Sequence, residues 1–372
     1  MRLLTRFSLA GWLAVGLIIN IAGGTGAPRA DAAQCGTSFN PYAAGEAAAA
    51  ACGLHVHPLS QKAALPAGGT QYTYDVDGGT MILRVPPAGF DPLNASAAQL
   101  AYYYFPLRPS SAAGLPHWEA SVRARHAAPP PFLIQGPHPL SQPLAPEEGY
   151  SGNCPTGGVI CASNWSGYTS QSLNNSYSSI DASYTEPNPA GTQPCNSNAV
   201  ATWAGLGGVF TSNLAQTGTA YNTASFAGIP NHGAWAEVLP NGPVYLNYSA
   251  AANDSMEASV THQNGGFQFY VTDSTENWTA QYFWSTSSFD GGTAESVLER
   301  PNNPNTGYLA TLTQFSSPNS FTDTYVNGTA MNGLSNHSPI YMFSQADGNE
   351  LAHVGSMWSN YGDFYDYYDN CG

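Results

Sequence analysis

The feature that most constrains the fold of this sequence is a series of short runs, within residues 151–372, in which apolar and polar side chains alternate. Val, Thr, Tyr, Phe and Trp dominate these runs, and Gly, Asn or Pro separates them, as expected for strands and turns. The runs read SSIDASYTE, MEASVTHQ, FQFYVTDST, NWTAQYFWSTS, YLATLTQF, SFTDTYV and PIYMFSQ. Asn264-Gly265-Gly266, between two of them, is typical of a hairpin turn. The runs show no sustained helical period, so they predict an all-β fold, an antiparallel sandwich or barrel.

Composition divides the 372-residue chain into four regions. We predict a signal peptide over residues 1–32, a propeptide or accessory segment of mixed structure over 33–126, a proline-rich linker over 127–150 and the β domain over 151–372. The second region combines an Ala-rich stretch, YAAGEAAAAACG, with a hairpin-like one, QYTYDVDGGTMILRV. The third reads AAPPPFLIQGPHPLSQPLAPEEGY, which has the composition of a spacer.

The N-terminal region predicts export. Arg2 and Arg6 precede an apolar run of about fifteen residues, and Ala-Asp-Ala at 30–32 supplies a cleavage signal. No later apolar run approaches the roughly twenty residues that a membrane helix needs, so we expect a secreted, extracellular protein without a membrane anchor. Six cysteines in an exported chain favour disulfides, and Cys154 and Cys161 are close enough to close a small loop.

Charge is distributed unevenly along the chain. Residues 1–150 hold eight Lys or Arg and eight Asp or Glu, whereas residues 151–372 hold sixteen acidic residues and one base, Arg300, a net charge of −15. So few positive charges argue against nucleic acid or an anionic membrane as a partner. In acid the carboxylates lose their mutual repulsion, and few ion pairs exist for acid to break. The charge therefore favours a protein that works in acid, with generic solubility as the alternative.

Several familiar catalytic motifs are absent from the sequence. It contains no H-E-x-x-H, no G-x-S-x-G and no Asp-Thr-Gly or Asp-Ser-Gly, which argues against zincins, α/β-hydrolases and two-aspartate peptidases. The stretch HVH at residues 55–57 has ligand-like spacing, but we interpret it as structural. We interpret DVDG at residues 75–78 as a hairpin turn and not as a calcium loop. No metal or other cofactor is therefore expected.

Two strand-like stretches carry groups that could hydrolyse an amide. In AWAEVLP, alternation puts Trp235, Glu237 and Leu239 on one face, and in NLAQTG the same rule gives Gln216 a face of its strand. If the two strands are neighbours, Gln216 and Glu237 can project into one concavity. A carboxylate can take a proton from water, and a primary amide can donate a hydrogen bond to an oxyanion. Spacing alone leaves open that both side chains simply face solvent.

Over residues 160–345 the sequence resembles the eqolisin-type glutamic peptidases. Five stretches occur in the order seen in that family: NWSGY (164–168), ATWAGLGG (201–208), LAQTG (214–218), GAWAEVLP (233–240) and AESVLERP (294–301). The resemblance implies a concanavalin-like sandwich of two antiparallel sheets whose concave face carries the site. It also implies a Gln/Glu dyad that cleaves proteins at acidic pH without a covalent intermediate.

By this resemblance the catalytic pair is Gln216 and Glu237, and Trp165 and Trp203 line the substrate cleft. Ionised Glu237 takes a proton from the attacking water and later gives it to the leaving nitrogen, while Gln216 stabilises the oxyanion and helps to hold the water. Because this base works in acid, we expect its pKa not to be raised far. The expected partners are protein or peptide substrates, and the expected state is a monomer.

The sequence departs from the family pattern at two positions. Val238 stands where the family usually has an aromatic residue after the catalytic glutamate, and Ser296 replaces the Trp of an AEW-like stretch. These changes bear on the subsites and the cleft wall and leave the dyad intact. Glu295 and Glu299 alternate onto one face of the same stretch, and we interpret them as supporting sheet residues.

Residues 33–126 are predicted to be a propeptide, released by cleavage near residues 127–163, because the resemblance begins only near Asn164. Five of the nine histidines lie before residue 150. They would become charged as the pH falls through about 6.5, while the acidic domain loses its negative charge at lower pH. A permanent accessory domain is the alternative.

Two other functions fit the sequence. Its aromatic content and sandwich pattern suit a carbohydrate-binding or glycoside-hydrolysing protein. A retaining glycosidase, however, needs two carboxylates about 5–5.5 Å apart, and here a glutamine takes one of the two places. The other alternative is a non-catalytic relative that keeps the fold.

Overall fold

β-strands make up most of the fold in the computed structural model. The structure describes residues 39–109, 115–126, 128–142, 154–155, 157–190, 198–222, 232–263, 265–286, 289, 291–303, 306–316 and 318–372. The predicted signal peptide, residues 1–32, lies outside these ranges. No helix within them has the length and apolarity needed to cross a bilayer.

The part of the chain before residue 150, which we call the front segment, mixes short helices with strands. Its elements are α1 (Pro41–Ala44), α2 (Glu46–Ala51), β1 (His55–Ala64), β2 (Thr70–Val76), β3 (Gly79–Val85), α3 (Ala97–Tyr102), α4 (Leu115–Arg123), β4 (Arg125–His126) and β5 (Phe132–Gln135). The Ala-rich stretch forms α1 and α2, as its helix propensity favours. The DVDG stretch turns between β2 and β3, where Val76 pairs with Gly79, as predicted.

The rest of the chain, which we call the β domain, is built almost entirely of strands. They are β6 (Ile160–Ala162), β7 (Trp165–Gln171), β8 (Ser179–Thr185), β9 (Asn198–Gly207), β10 (Leu214–Asn222), β11 (His232–Val238), β12 (Val244–Ser249), β13 (Ser255–Gln263), β14 (Gly266–Asp273), β15 (Trp278–Ser285), β16 (Thr293–Glu299), β17 (Thr311–Leu312), β18 (Asn319–Val326), β19 (Thr329–Ala330), β20 (His337–Phe343), β21 (Glu350–Val354) and β22 (Phe364–Tyr368). One 3₁₀ turn spans Met331–Gly333. A disulfide joins Cys154 to Cys161, closing the small loop that their spacing allowed.

The strands of the β domain form two antiparallel sheets packed face to face, which confirms the predicted all-β sandwich. The first sheet runs β20-β7-β16-β9-β10-β11-β12. The second runs β15-β14-β13-β8-β18-β22. The main apolar cluster fills the space between them, with Ala204 and Ala215 from the first sheet and Val260 and Phe269 from the second.

The front segment is joined to both sheets. Strand β5 pairs with β12 at the edge of the first sheet, and β3 pairs with β15 at the edge of the second. Strands β1 and β2 complete the path between β5 and β3. Part of the predicted linker, residues 132–135, is therefore a buried strand, because its Phe-Leu-Ile run is apolar enough to join a sheet despite the surrounding prolines.

Two further apolar clusters lie on the outer faces of the sandwich. One combines Trp203 and Trp235 of the first sheet with Phe132, Ile134 and Leu140 of the front segment. The other is formed by α3, α4 and the residues between them, beside the second sheet, where the Tyr270 hydroxyl donates to the Ser121 carbonyl over 2.8 Å. The front segment thus covers the outer faces of both sheets.

Candidate active site

The structure brings Gln216 and Glu237 together as direct partners on adjacent strands. In the antiparallel register of β10 and β11, Gln216 lies opposite Glu237. Residues directly opposed in such a pair project from the same face at close range. Both side chains are fully buried, and Gln216 Nε2 donates to Glu237 Oε2 over 2.5 Å. Register alone therefore places an amide and a carboxyl group side by side.

The second oxygen of Glu237 binds the front segment. The backbone N–H of Leu140 donates to Glu237 Oε1 over 2.8 Å. The remaining oxygen accepts from Gln216, so both carboxylate oxygens are hydrogen-bonded. Glu237 is thus held between a neighbouring strand and a chain segment more than ninety positions earlier in the sequence.

Gln216 is also in contact with the front segment. The Ser141 hydroxyl oxygen lies 3.2 Å from Gln216 Oε1, and its single hydrogen is shared between this oxygen and Oε2 of Glu299. A primary amide has two N–H donors and one carbonyl acceptor. One N–H of Gln216 is hydrogen-bonded to Glu237 and its carbonyl oxygen to Ser141, so the plane of the amide is fixed. The second N–H of Gln216 is the donor that an oxyanion would use.

Burial raises the pKa of Glu237 to about 8, and the nearby Glu299 carboxyl acts in the same direction. The hydrogen bonds from Leu140 and Gln216 lower the pKa but do not offset burial. The sequence led us to expect a pKa that is not raised far. The cause of the shift is burial, to which the front segment contributes through the contact of Leu140 with Glu237.

Glu299 is a second buried carboxyl group in the site. Trp165 Nε1 and Asn164 Nδ2 donate to its Oε1 over 3.1 and 3.0 Å, and Trp203 Nε1 donates to its Oε2 over 2.7 Å. The Ser141 hydroxyl also donates to Oε2. Burial raises the pKa of Glu299 to about 8, against the lowering effect of these donors. The sequence identified Glu299 only as a supporting residue, whereas the structure places four donors on it.

The two tryptophans expected in the cleft wall, Trp165 and Trp203, are fully buried, with ring centroids 4.9 Å apart in an edge-to-face arrangement. Both belong to the apolar cluster that holds Leu140. Their indole nitrogens point to Glu299, so each ring has one polar anchor and one apolar side. They form a rigid wall beside the dyad, and the front segment covers it.

A glycine gives this wall its room. Gly205 lies opposite Gln216 on one side and Glu295 on the other. A Cβ at Gly205 would come within 2.9 Å of the Trp203 ring and 3.1 Å of Gln216 Cβ. The close approach of Trp203 to the dyad therefore depends on a residue without a side chain.

The two departures from the family pattern lie away from the dyad. Val238 is buried in the cluster between the sheets, on the face opposite to Glu237. Ser296 alternates with Glu295 and Glu299 and so faces the same interior, fully buried. Neither position lies on the dyad's side of the sheet.

Within the described residues, two groups could offer three close ligand atoms to a metal ion. One is His55, His57 and Asp77, and the other is Glu350, His353 and Asp369. Neither group includes Gln216, Glu237 or their hydrogen-bond partners.

Three residues contribute to the site without having been predicted from the sequence: Leu140, Ser141 and Asn302. Leu140 and Ser141 lie in the proline-rich stretch, where no pattern signals a contact with a strand almost a hundred residues away. Asn302 follows the AESVLERP stretch and binds the same segment: its N–H donates to the Leu140 carbonyl over 2.7 Å, and its Nδ2 donates to the Pro139 carbonyl over 3.1 Å. The only sequence signal was the nearness of Asn302 to a family motif.

The family model described as Peptidase A4 family matches residues 163–356, which include Gln216, Glu237 and Glu299. The structure is similar to that of scytalido-glutamic peptidase with a transition state analog inhibitor, at 19% identity, covering 56% of this chain and 98% of that one, with a TM-score of 0.45. It is also similar to aspergilloglutamic peptidase from Aspergillus niger, at 17% identity, covering 46% and 99%, with a TM-score of 0.38. No curated protein matches the chain.

Proposed function

The chain belongs to the peptidase A4 family, and from that membership we propose that it is a secreted endopeptidase that hydrolyses peptide bonds in acid with Gln216 and Glu237. The observation that carries the proposal is the direct cross-strand pairing of these two residues in a buried site within the matched region. An amide donor beside a carboxyl group provides both an oxyanion ligand and a general base.

In the proposed reaction, ionised Glu237 removes a proton from a water molecule whose oxygen attacks the scissile carbonyl carbon. The carbonyl oxygen becomes an oxyanion, and the free N–H of Gln216 donates to it. Glu237 then transfers its proton to the peptide nitrogen as the carbon–nitrogen bond breaks, leaving a carboxylic acid and an amine. Each step uses a group already in hydrogen-bond contact with its partner in the dyad.

Activity in acid requires that the Glu237 carboxyl group regain contact with water. With the front segment in place, burial keeps the pKa of Glu237 at about 8, so the group is protonated in acid and cannot act as a base. When water enters the site, this cause of the shift is removed and the pKa falls towards its ordinary value. We therefore propose that the front segment is a propeptide and that its release switches on the base.

Glu299 adds a second carboxyl group near Glu237. A pair of carboxyl groups is what a glycosidase uses for catalysis. The indole N–H groups of Trp165 and Trp203 and the Asn164 amide already bind the Glu299 carboxyl oxygens, which gives Glu299 a structural role. The family membership also favours a peptidase. An assay for reducing sugars on polysaccharides, run beside the protein assay, separates the two functions.

The test compares the full chain with Glu237→Gln and Gln216→Ala after incubation in acid, using a denatured protein as substrate. We expect Glu237→Gln to lose activity by about 10²–10⁴-fold and Gln216→Ala by about 10²–10³-fold. Glu276→Gln, which changes an exposed glutamate in the same way, is the matched control and should retain full activity. Wild-type rates in either dyad variant would refute the assignment.

A further inference from the structure

The segment Pro139–Gln142 runs across the Gln216–Glu237 pair. We propose that this segment occupies the substrate cleft as a built-in competitive inhibitor, and that the place taken by Leu140 is the subsite for a large aliphatic side chain of a substrate. This inference rests on the proposed peptidase function and names the ligand of the same site: an extended peptide with an apolar residue held beside Glu237.

The segment is held mainly through its backbone, as a substrate would be. The Leu140 N–H donates to Glu237, and the Leu140 carbonyl accepts from the Asn302 N–H. The Pro139 carbonyl accepts from the Asn302 side chain. Backbone groups are common to all peptides, so a site that binds them can accept a substrate chain along the same path.

The same contacts occupy the groups that the reaction needs. The proposed mechanism holds water between the Glu237 carboxylate and the Gln216 amide. In this structure the Leu140 N–H is hydrogen-bonded to Glu237 Oε1, and the Ser141 hydroxyl is hydrogen-bonded to Gln216 Oε1. The same Ser141 hydroxyl hydrogen is shared with Glu299 Oε2, which holds the hydroxyl group in this position. A water molecule bound to the dyad must therefore displace Leu140 and Ser141.

The geometry explains why the segment inhibits and is not cut in this arrangement. If the Leu140 nitrogen were the leaving group, the attacked carbonyl would be that of Pro139. That oxygen accepts from Asn302. The hydrogen bond that Gln216 Nε2 makes in this structure goes to Glu237 Oε2. Cleavage would therefore need the second N–H of Gln216 to reach an oxygen that Asn302 already binds.

The side chain of Leu140 identifies the subsite. It is fully buried in the apolar cluster that contains Trp203, Trp235 and Leu239. Burying a leucine side chain stabilises a complex, whereas a carboxylate in the same place would lose its hydration without a partner. The subsite should therefore accept Leu and reject Asp.

The rest of the front segment keeps the inhibitor in place. Phe132 and Ile134 on β5 lie in the same apolar cluster, and β5 pairs with both β1 and β12. The Tyr42 hydroxyl donates to the Tyr245 carbonyl of β12 over 3.0 Å. The segment over the dyad is therefore anchored by a sheet, and its occupancy does not depend on its own few contacts.

The first test uses the full chain with the front segment attached, as verified by intact mass, in mild acid. Leu140→Asp should cleave a peptide substrate about tenfold faster than the wild type or more, because the inhibitor no longer binds its subsite. Leu107→Asp is the control, because it changes an exposed leucine of the front segment in the same way, and it should match the wild type. Equal rates for Leu140→Asp and the wild type would overturn the inhibitor proposal.

A second measurement does not depend on activity. Hydrogen exchange of the Leu140 amide in the wild-type chain should be slow, and Glu237→Ala should accelerate it. A slow amide together with no peptide cleavage by any variant, even after acid treatment, means that the segment is placed as proposed and that the peptidase function is wrong. Exchange as fast as that of an exposed backbone amide overturns the inference whatever the activity.

The subsite has its own test. A synthetic peptide with the sequence of residues 136–142, GPHPLSQ, is added to the acid-activated chain during substrate cleavage. It should slow the reaction competitively, whereas the same peptide with Asp in the place of Leu140 should have little effect. Equal inhibition by the two peptides, or by neither, would overturn the assignment of the Leu140 subsite.

Discussion

Gln216 and Glu237 lie directly opposite each other on β10 and β11, and a 2.5 Å hydrogen bond joins their side chains. They are 21 positions apart in the chain. Their meeting depends only on the register of two antiparallel strands and on both side chains projecting from one face. A slip of one residue in this register would send one of them into the core between the sheets. The dyad is thus as well fixed as the sheet itself.

Glu299→Gln tests the anchor of the tryptophan wall. The amide keeps one acceptor oxygen but turns an NH₂ group towards the indole donors of Trp165 or Trp203, leaving a buried donor unsatisfied. We expect a loss of stability of about 1–3 kcal/mol and a fall in peptide cleavage larger than that of Glu276→Gln. Denaturant unfolding and initial rates measure the two effects. Unchanged stability would contradict the role of Glu299 as an anchor.

Gly205→Ala tests the room beside the dyad. The added methyl group would lie 2.9 Å from the Trp203 ring and 3.1 Å from Gln216 Cβ, so one of the two side chains must move. We expect a reduction in kcat of about tenfold or more with the fold retained, because small displacements at a catalytic pair are costly. Gly333→Ala has only one distant neighbour, the Thr329 methyl at 3.7 Å, and serves as the control. Steady-state kinetics with circular dichroism would expose a fold defect mistaken for a catalytic one.

The stability of the full chain should rise as the pH falls from about 8 to about 4. Burial raises the pKa of Asp181 to about 6, of Glu257 to about 7 and of Glu299 to about 8. Between these values and the ordinary carboxyl pKa, the folded chain binds more protons than the unfolded chain. Their contribution is therefore complete in acid and is lost as the pH rises through about 6–8. Each such proton changes the unfolding free energy by about 1.4 kcal/mol per pH unit.

Thermal unfolding of Glu237→Gln, which avoids self-digestion, measures this dependence. Glu257→Gln in the same background should flatten the curve, because it removes one of the groups that take up a proton. A chain that is least stable in acid would show that the buried carboxyl groups do not control its pH dependence.

His126→Phe tests an acid trigger in the front segment. Burial lowers the pKa of His126 to about 4, and its ring lies against the rings of Phe105 and Tyr270. Below the ordinary pKa of about 6.5, an undocked His126 gains a proton that the docked one resists, so this group weakens docking as the pH falls, whereas Glu237, whose pKa burial raises to about 8, favours docking over the same range. The shift at His126 amounts to about 3 kcal/mol. Phe cannot take up a proton, so activation of His126→Phe should require a lower pH than that of the wild type.

The readout is the pH at which half of the peptidase activity appears in a fixed time. His138→Phe changes an exposed histidine of the same segment and should leave that pH unchanged. An unchanged activation pH in His126→Phe would assign the trigger to other groups.

The strands were predictable because their chemistry is local. Alternating runs such as MEASVTHQ and FQFYVTDST became β13 and β14, paired outward from Gln263 and Gly266. The run YLATLTQF predicted a strand longer than the two residues of β17, Thr311–Leu312. In the structure, the apolar residues Leu312 and Phe315 of this run pack into the main apolar cluster although most of the run is not a strand. Pattern sets the presence of a strand more reliably than its length.

The site was predictable only in part. The positions of Gln216 and Glu237 came from their resemblance to a known family, since no periodicity states which strands are neighbours. The contacts of Leu140 and Ser141, and the pKa of Glu237 that follows from them, depend on how a distant segment docks. Proline-rich composition pointed to a spacer and concealed the apolar run that became β5. Burial by tertiary docking leaves no mark on the local sequence.

Strand β5 is held by main-chain hydrogen bonds to β1 on one side and β12 on the other. Cutting the polypeptide after this strand would therefore leave the two fragments associated, and activation would proceed in two stages with a lag. While the chain is intact, the inhibitor is present at a high effective concentration fixed by its tether; once it dissociates, it rebinds only in proportion to its bulk concentration. Dilution would then make activation a one-way process.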